Sequence, residues 1–290
     1  MSLDHVAHFV PDLDSASSTL EKLGFTLTPF SEQSHRAAPD MPVTPVGAGN
    51  RCAMLRRGYV EFLTPIGDTD AASQLRTAIK RYVGAHLIAF GTVEPEADYQ
   101  RLAGMGFGPL DPVALQREIE MVNSRDTARF TVVRVPPGTM AEGRIQYCRH
   151  HTPELLWQSR WLAHANGAVA LNGVVLCVAD PEEAAMRYTR FTGLPCHANG
   201  TVRTIATARG LLMFLDPVTL ERRLHTAAPV LPWIAGCILE SANVAATGDY
   251  LHKSATTVSA LGSRLLVELP AAVGGIVIFE PKNSGTLIFD

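Results

Sequence analysis

Three polar side chains stand in segments whose neighbours are apolar. His5 lies in Leu3-Asp4-His5-Val6-Ala7-His8-Phe9-Val10, Glu61 in Tyr59-Val60-Glu61-Phe62-Leu63, and His86 in Gly84-Ala85-His86-Leu87-Ile88-Ala89-Phe90. Each segment reads as a short strand. A polar group buried there without a partner costs about 2–7 kcal/mol, so a function has to account for it. Two imidazoles and one carboxylate suit a divalent metal with positions left open, and a lone carboxylate can act as a general base.

The strands that must position these groups belong to a recurring pattern. An apolar strand, an acidic or small-residue turn, an amphipathic helix and further strands begin near Leu3, Gly84, Leu171 and Trp233. Asp12 is placed to cap the first helix and Gly24 to end it. Residues 25–30 are expected as a strand, and 31–49, with Pro39, Pro42 and Pro45, as a long loop. Residues 50–56 and 59–64 form a hairpin turned at Arg57-Gly58. In the second unit a helix is expected over 94–105 and strands near 117–122, 129–135 and 144–148. Later helices are expected over 181–192 and 244–254. One helix followed by several strands argues for an α+β fold with curved, antiparallel-rich mixed sheets. No GxGxxG or GxxxxGK[ST] element supports a nucleotide fold.

The second half keeps the apolar frame and drops the polar residues. Leu171-Asn172-Gly173-Val174-Val175 aligns with Leu3-Asp4-His5-Val6-Ala7, placing Gly173 at His5, and Gly210–Pro217 aligns with Gly58–Pro65, placing Met213 at Glu61. The fourth unit puts Ile234 opposite His86 and Val277 opposite Gln146. A frame that can be built from Gly, Met, Ile and Val does not need His5, Glu61 or His86, so they read as a site kept only by the first half. Strand alternation places His5 on one face with Leu3, Ala7 and Phe9, and His8 on the other, against the helix layer.

Composition narrows the function classes. With 290 residues there is ample core for two domains, and only 18% of residues are charged, a hint of interfaces such as a homodimer's. A net charge of −3 without a basic cluster argues against nucleic acid. The apolar run 157–171 is broken by Arg160, His164 and Asn166, so no membrane span is expected. Met1-Ser2-Leu3-Asp4 enters a strand without a leader pattern, so a cytoplasmic protein is expected. Five scattered cysteines without a CxxC pair favour neither disulfides nor a zinc ribbon, and Cys52 and Cys148 are expected as buried thiols. His150, His151, Glu154 and His164 fall in a connector around Pro153 and read as structural, with Thr152 capping a short helix and Trp157 and Trp161 anchoring the two halves. Arg56-Arg57 and Arg222-Arg223 read as solvated faces, although an arginine near the site could hold a substrate carboxylate.

Four motifs carry a resemblance: Leu3-x-His5-x4-Val10-x-Asp12-Leu13, Tyr59-Val60-Glu61-Phe62-Leu63, Gly84-Ala85-His86-Leu87-Ile88-Ala89-Phe90 and Arg144-Ile145-Gln146-Tyr147. The chain resembles the vicinal oxygen chelate superfamily, and its first half is most similar to glyoxalase I and the glyoxalase-like domain proteins. The resemblance implies four βαβββ modules paired into two glyoxalase-like domains, here 1–150 and 169–290 with a connector at 151–168. It implies that His5, Glu61, His86 and Gln146 hold a divalent metal (Zn, Ni, Mn or Fe), with Glu61 catalytic. His35, Gly49 and Asn50 resemble a His…Gly-x-Asn pattern of the glyoxalase-like group, placing His35 and Asn50 on the substrate. Glyoxalase I has a carboxylate base where Gln146 stands, and an amide cannot take a proton, so its isomerase activity is not implied intact. The expectation is a metal-dependent lyase or isomerase acting on a small vicinal-oxygen metabolite. Its rivals are an extradiol-type Fe(II) dioxygenase and a metal-free binding protein of the drug-sequestering kind.

Overall fold

A strand–helix–three-strand unit occurs four times in the computed structural model, which describes residues 1–36, 41–254, 256–282 and 284. The first unit is β1 (Ser2–Phe9), α1 (Leu13–Lys22), β2 (Ser31–His35), β3 (Thr44–Met54) and β4 (Tyr59–Pro65). Helix α2 (Asp70–Arg81) leads to β5 (Gly84–Gly91), α3 (Pro95–Gly104), β6 (Leu110–Glu120), β7 (Arg125–Arg134) and β8 (Arg144–His150). After α4 (Pro153–Leu156) come β9 (Ala168–Cys177), α5 (Pro181–Thr192), β10 (Cys196–Asn199), β11 (Val202–Ala206) and β12 (Leu211–Leu215). Helix α6 (Pro217–Leu224) precedes β13 (Trp233–Ser241), α7 (Val244–Lys253), β14 (Val258–Leu261), β15 (Arg264–Glu268) and β16 (Ile276–Pro281).

The helix ends follow from local chemistry. Asp12 accepts from the backbone N–H of Asp14 and Ser15, and Asp180 does the same for Glu182 and Glu183, satisfying donors that a first turn leaves open. Gly24, with φ +82°, turns the chain after α1 in a conformation a side chain would resist.

The first eight strands close on themselves. Strand β1 lies parallel to β4 and antiparallel to β5, β5 lies parallel to β8, and β2 meets β6 across the seam. The result is a barrel-like cup. In the second half β13 joins β9 and β16, but β10 and β14 are not paired with each other among the described residues, so that sheet stays open. The halves meet where β13 pairs with β5 at Ile234 and Ala85. One apolar core packs the helices against both sheets; a second cluster lines the concave face of the first half, and a third fills that of the second.

Several local expectations need correction. Residues 25–30 form no strand; β2 begins at Ser31, and β3 reaches back to Thr44, so most of the expected long loop is hairpin. Residues 37–40 of it lie outside the described residues. Helices α2 and α6 were not foreseen, although Thr69 and Asp216 cap them with the usual side-chain bonds. Leu3 does not share a face with His5: a register shift between them sends Leu3 to the helix-side core. His8 meets the second half rather than a helix, its Nδ1 3.2 Å from the Val273 carbonyl. Trp157 donates to the Leu55 carbonyl and, with Trp161, packs on the first cup rather than between halves. Thr152 precedes α4 but bonds the Arg129 N–H instead of capping. Among the described residues no helix is long and apolar enough to cross a membrane.

Phe191 of α5 shows how the second half braces the first. It is fully buried, stacks on Tyr147 of β8 at 5.4 Å, and lends its carbonyl to the Tyr147 hydroxyl at 3.0 Å. Phe191→Ala is expected to lower the free energy of urea unfolding by about 3–5 kcal/mol, as removal of a buried ring does.

Candidate active site

The cup of the first half encloses a cavity of about 420 Å³, within the range of small-molecule sites. His5, Glu61, Gln146, Asn50 and His35 all line it; His86 does not.

Glu61 projects inward between Tyr59 and Leu63 on β4 and is buried. Its Oε1 accepts from the side-chain amides of Asn50 and of Gln33, the latter at 3.2 Å. Asn50 is itself held by Arg117, whose guanidinium donates to the Asn50 amide oxygen at 2.7 Å. With Oε1 occupied, Oε2 is the free oxygen, and it faces His5 Nε2 at 4.0 Å.

His5 stacks on Tyr59 with ring centroids 4.4 Å apart, and its Nδ1 lies 2.7 Å from Asp4 Oδ2. The same Asp4 oxygen lies 2.9 Å from His150 Nε2. Burial pushes the Asp4 carboxyl up, but the imidazoles of His150 and His5 outweigh it and hold it well below the usual carboxylate range. Asp4 is thus an anion that takes a proton donor from His5 Nδ1, which leaves Nε2 as the nitrogen presented to Glu61. His5 Nε2 and Glu61 Oε2 thus face each other across a 4.0 Å gap, where the pair can share a proton or could both serve as ligands to a divalent ion. Asp4, His5 and His150 also form the one group of metal-type side chains within 4.8 Å of one another among the described residues; the space between them is taken by the bonds that Asp4 receives.

Gln146 joins from the side. His5 pairs with Ala89 across β1–β5, and Ala89 with Gln146 across β5–β8, so a methyl separates the two polar side chains in one lateral row. His86 is set apart by a bulge. Its neighbours Ala85 and Leu87 pair with His8 and Ala7, and His86 is skipped; such a residue is re-aimed out of the ladder. Its Nε2 lies 2.8 Å from the Tyr82 carbonyl, and its ring stacks on Tyr82 at 3.8 Å and on Phe9 at 5.3 Å. The geometry therefore gathers His5, Glu61 and Gln146, and leaves out the expected fourth member.

Asn50 positions Glu61 from a fully buried place, while half-buried His35 sits at the mouth. Cys52 and Cys148 are free, buried thiols, with burial raising Cys52 to about 11. Asp4, Gln33, Arg117, Arg134 and Arg144 belong to the site but were not foreseen. Alternation from Gln146 along β8 would have found Arg144; Asp4 required knowledge of the bulge.

A family model described as a glyoxalase-like domain matches residues 3–216. A comparison with curated proteins finds no match. Among solved structures, a hypothetical protein from Staphylococcus aureus superposes with a TM-score of 0.67 at 11% identity, covering 97% of this chain and 99% of that one. A manganese(II)-bound glyoxalase from Novosphingobium aromaticivorans gives 0.57 at 8% identity over 97% and 81% of the two chains. A mutant of 4-hydroxymandelate synthase from Streptomyces coelicolor gives 0.56 at 13% identity over 97% and 92%. At such identities the likeness is one of fold.

His8 and His86 make stability depend on pH. Burial lowers each from 6.5 to about 4 in the folded chain. Unfolded, each binds a proton near pH 6.5, so stability is whole above that pH. It falls as the pH drops toward 4, by about 1.4 kcal/mol per pH unit for each group. Urea midpoints measured from pH 7 to 4.5 should show this decline, and His86→Gln should remove its share of the slope.

Proposed function

Because the chain belongs to the glyoxalase-like domain family, we propose that the first cup is a metal-dependent active site of the lyase or isomerase type. Its substrate is a small metabolite with neighbouring oxygens. The observation that supports this is the facing of His5 Nε2 and Glu61 Oε2 at 4.0 Å, with the other nitrogen of His5 fixed by Asp4 and the other oxygen of Glu61 fixed by Asn50 and Gln33. His5, Glu61 and Gln146 would hold the divalent ion. When bound, the ion supplies Lewis-acid polarisation of the substrate oxygens.

The chain's own groups do the rest. Gln146 offers an amide oxygen and cannot take a proton. Glu61 can, at Oε2, and is the candidate base when that oxygen is not ligating. Asp4 sets the tautomer of His5. Leu63, Leu87, Phe130 and Val132 line the cup with apolar surface that limits water. The proposed division is a site-bearing first domain, 1–150, and a second, 169–290, that supports it.

Elemental analysis of protein purified without an immobilised-metal column tests this. About one equivalent of a divalent metal is expected, lost in His5→Ala and bound about 10–100-fold more weakly in Asp4→Asn. A metal-free protein whose ligand binding is indifferent to His5→Ala would instead be a sequestering container. Oxygen uptake with a catechol would identify a dioxygenase.

A further inference from the structure

The cup contains more positive charge than its chemistry so far uses. Arg117, Arg134 and Arg144 all line it, against Glu61 inside and an exposed Asp70 at the mouth. Arg117 is engaged with Asn50 and lies over Phe130. Arg134 and Arg144 form no ion pair with a carboxylate among the described residues, and Arg134 Nε is buried with no hydrogen-bond partner. Arg144 is steadied by Phe9, whose ring it covers at 5.9 Å, and by a 3.3 Å bond to Gln74. Burial lowers Arg144 to about 10, with the Arg134 charge adding to the effect and the Glu61 charge opposing it in part; it remains a cation at neutral pH. A half-buried guanidinium with no carboxylate bonded to it is costly, and is kept where something neutralises it.

The second half shows that the fold does not ask for these two arginines. His5 pairs with Ala89 as Gly173 pairs with Ile238, and Ala89 pairs with Gln146 as Ile238 pairs with Ile278. On that register Arg144 corresponds to Ile276, and Arg134, the neighbour of Gln146, to Leu266. Ile276, Ile278 and Leu266 are buried in the apolar filling of the second cup.

We propose that Arg134 and Arg144 form a carboxylate seat, and that the ligand of this cup is a small oxo- or hydroxy-acid. Its vicinal oxygens meet His5 and Glu61, and a second, distal carboxylate meets the two guanidiniums. Arginine is suited to this because its fork matches a carboxylate in two places. Arg144 and Gln146 lie two residues apart on one strand face, about 6.6 Å, so a chain of about four or five carbons joins the two ends. The assignment of the oxygen end rests on the proposed function; the carboxylate seat does not.

Calorimetric titration with α-oxoglutarate and with α-oxovalerate, which has the same carbon number but no distal carboxylate, tests the seat. The wild type should bind α-oxoglutarate at least about tenfold more tightly than α-oxovalerate, and R134Q/R144Q should lose that preference by weakening α-oxoglutarate about tenfold more than it weakens α-oxovalerate. If the double variant fails to fold, R134Q alone leaves the contacts of Arg144 in place and should lower the preference in the same direction. Equal binding of both acids by the wild type, binding of neither at millimolar concentration, or a preference that survives in the variant would overturn the seat. Inorganic phosphate displacing α-oxoglutarate more strongly than acetate does would also overturn it, in favour of a phosphate. Affinities for both acids that ignore removal of divalent metal by a chelator would sink the metal reading while leaving the seat standing.

Discussion

The Asp4 carboxylate is the constraint on which the site depends. A bulge in β1 puts Asp4 and His5 side by side instead of on opposite faces, and one oxygen of Asp4 then meets both His5 and His150. His5 comes from the first strand of the cup and His150 from the end of its last, so a single buried anion ties the two ends of the barrel wall together. Burying that anion is costly, and its two imidazole partners offset the cost. The orientation of His5 Nε2 toward Glu61 follows from that arrangement rather than from anything Glu61 does. Glu61 in turn is fixed from its own side, through Asn50 and Arg117, so both partners of the pair are held by residues that do not face the other.

The two halves use one set of strand registers for opposite ends. Ala7 pairs with Glu61 as Val175 pairs with Met213. Gly173, in the place of His5, leaves room that Ile238 fills: a Cβ there would meet the Ile238 side chain at 3.0 Å. The second cup is therefore a packed core, with Met213, Ile238, Ile276 and Ile278 interdigitated. The first is kept hollow by charges that cannot pack against one another. Closure follows the same division. Strand β2 pairs with β6 and encloses the hollow cup, while among the described residues β10 and β14 do not pair over the packed one.

Much of this was legible from the sequence, and the side chains assigned to the wrong face share one physical source. The repeated strand–helix–strand order and the cap at Asp12 follow from periodicity and turn chemistry, and the inward Glu61 and Gln146 from the family resemblance. Alternation is a rule of period two, however, and one extra residue reverses it. The bulge at Asp4 moved Leu3 to the other face, and the bulge at His86 took that imidazole out of the set. The same effect shifted the alignment of the fourth unit: the registers place Ala235, not Ile234, at His86, and Ile278, not Val277, at Gln146. Neither bulge carries a glycine or proline to announce it. The arginines were missed for a different reason, since Arg134 enters the site only through its pairing with Gln146, a contact 12 residues away across a turn.

Polar residues in apolar strands divide into those that serve the core and those that line the cavity. By the test of replacement by an apolar residue in a related unit, His5, Glu61 and Gln146 stand apart, and all three line the cavity. His86 met the same test and yet serves as a neutral, stacked core group, because a bulge position tolerates either an imidazole bonded to the chain, as here, or the alanine of the sister unit. What separates the two outcomes is where the polar atoms find partners. His86 is satisfied by the Tyr82 carbonyl, inside the wall. His5, Glu61 and Arg134 instead line a cavity, where His5 Nε2 and Glu61 Oε2 face each other at 4.0 Å and Arg134 Nε has no hydrogen-bond partner.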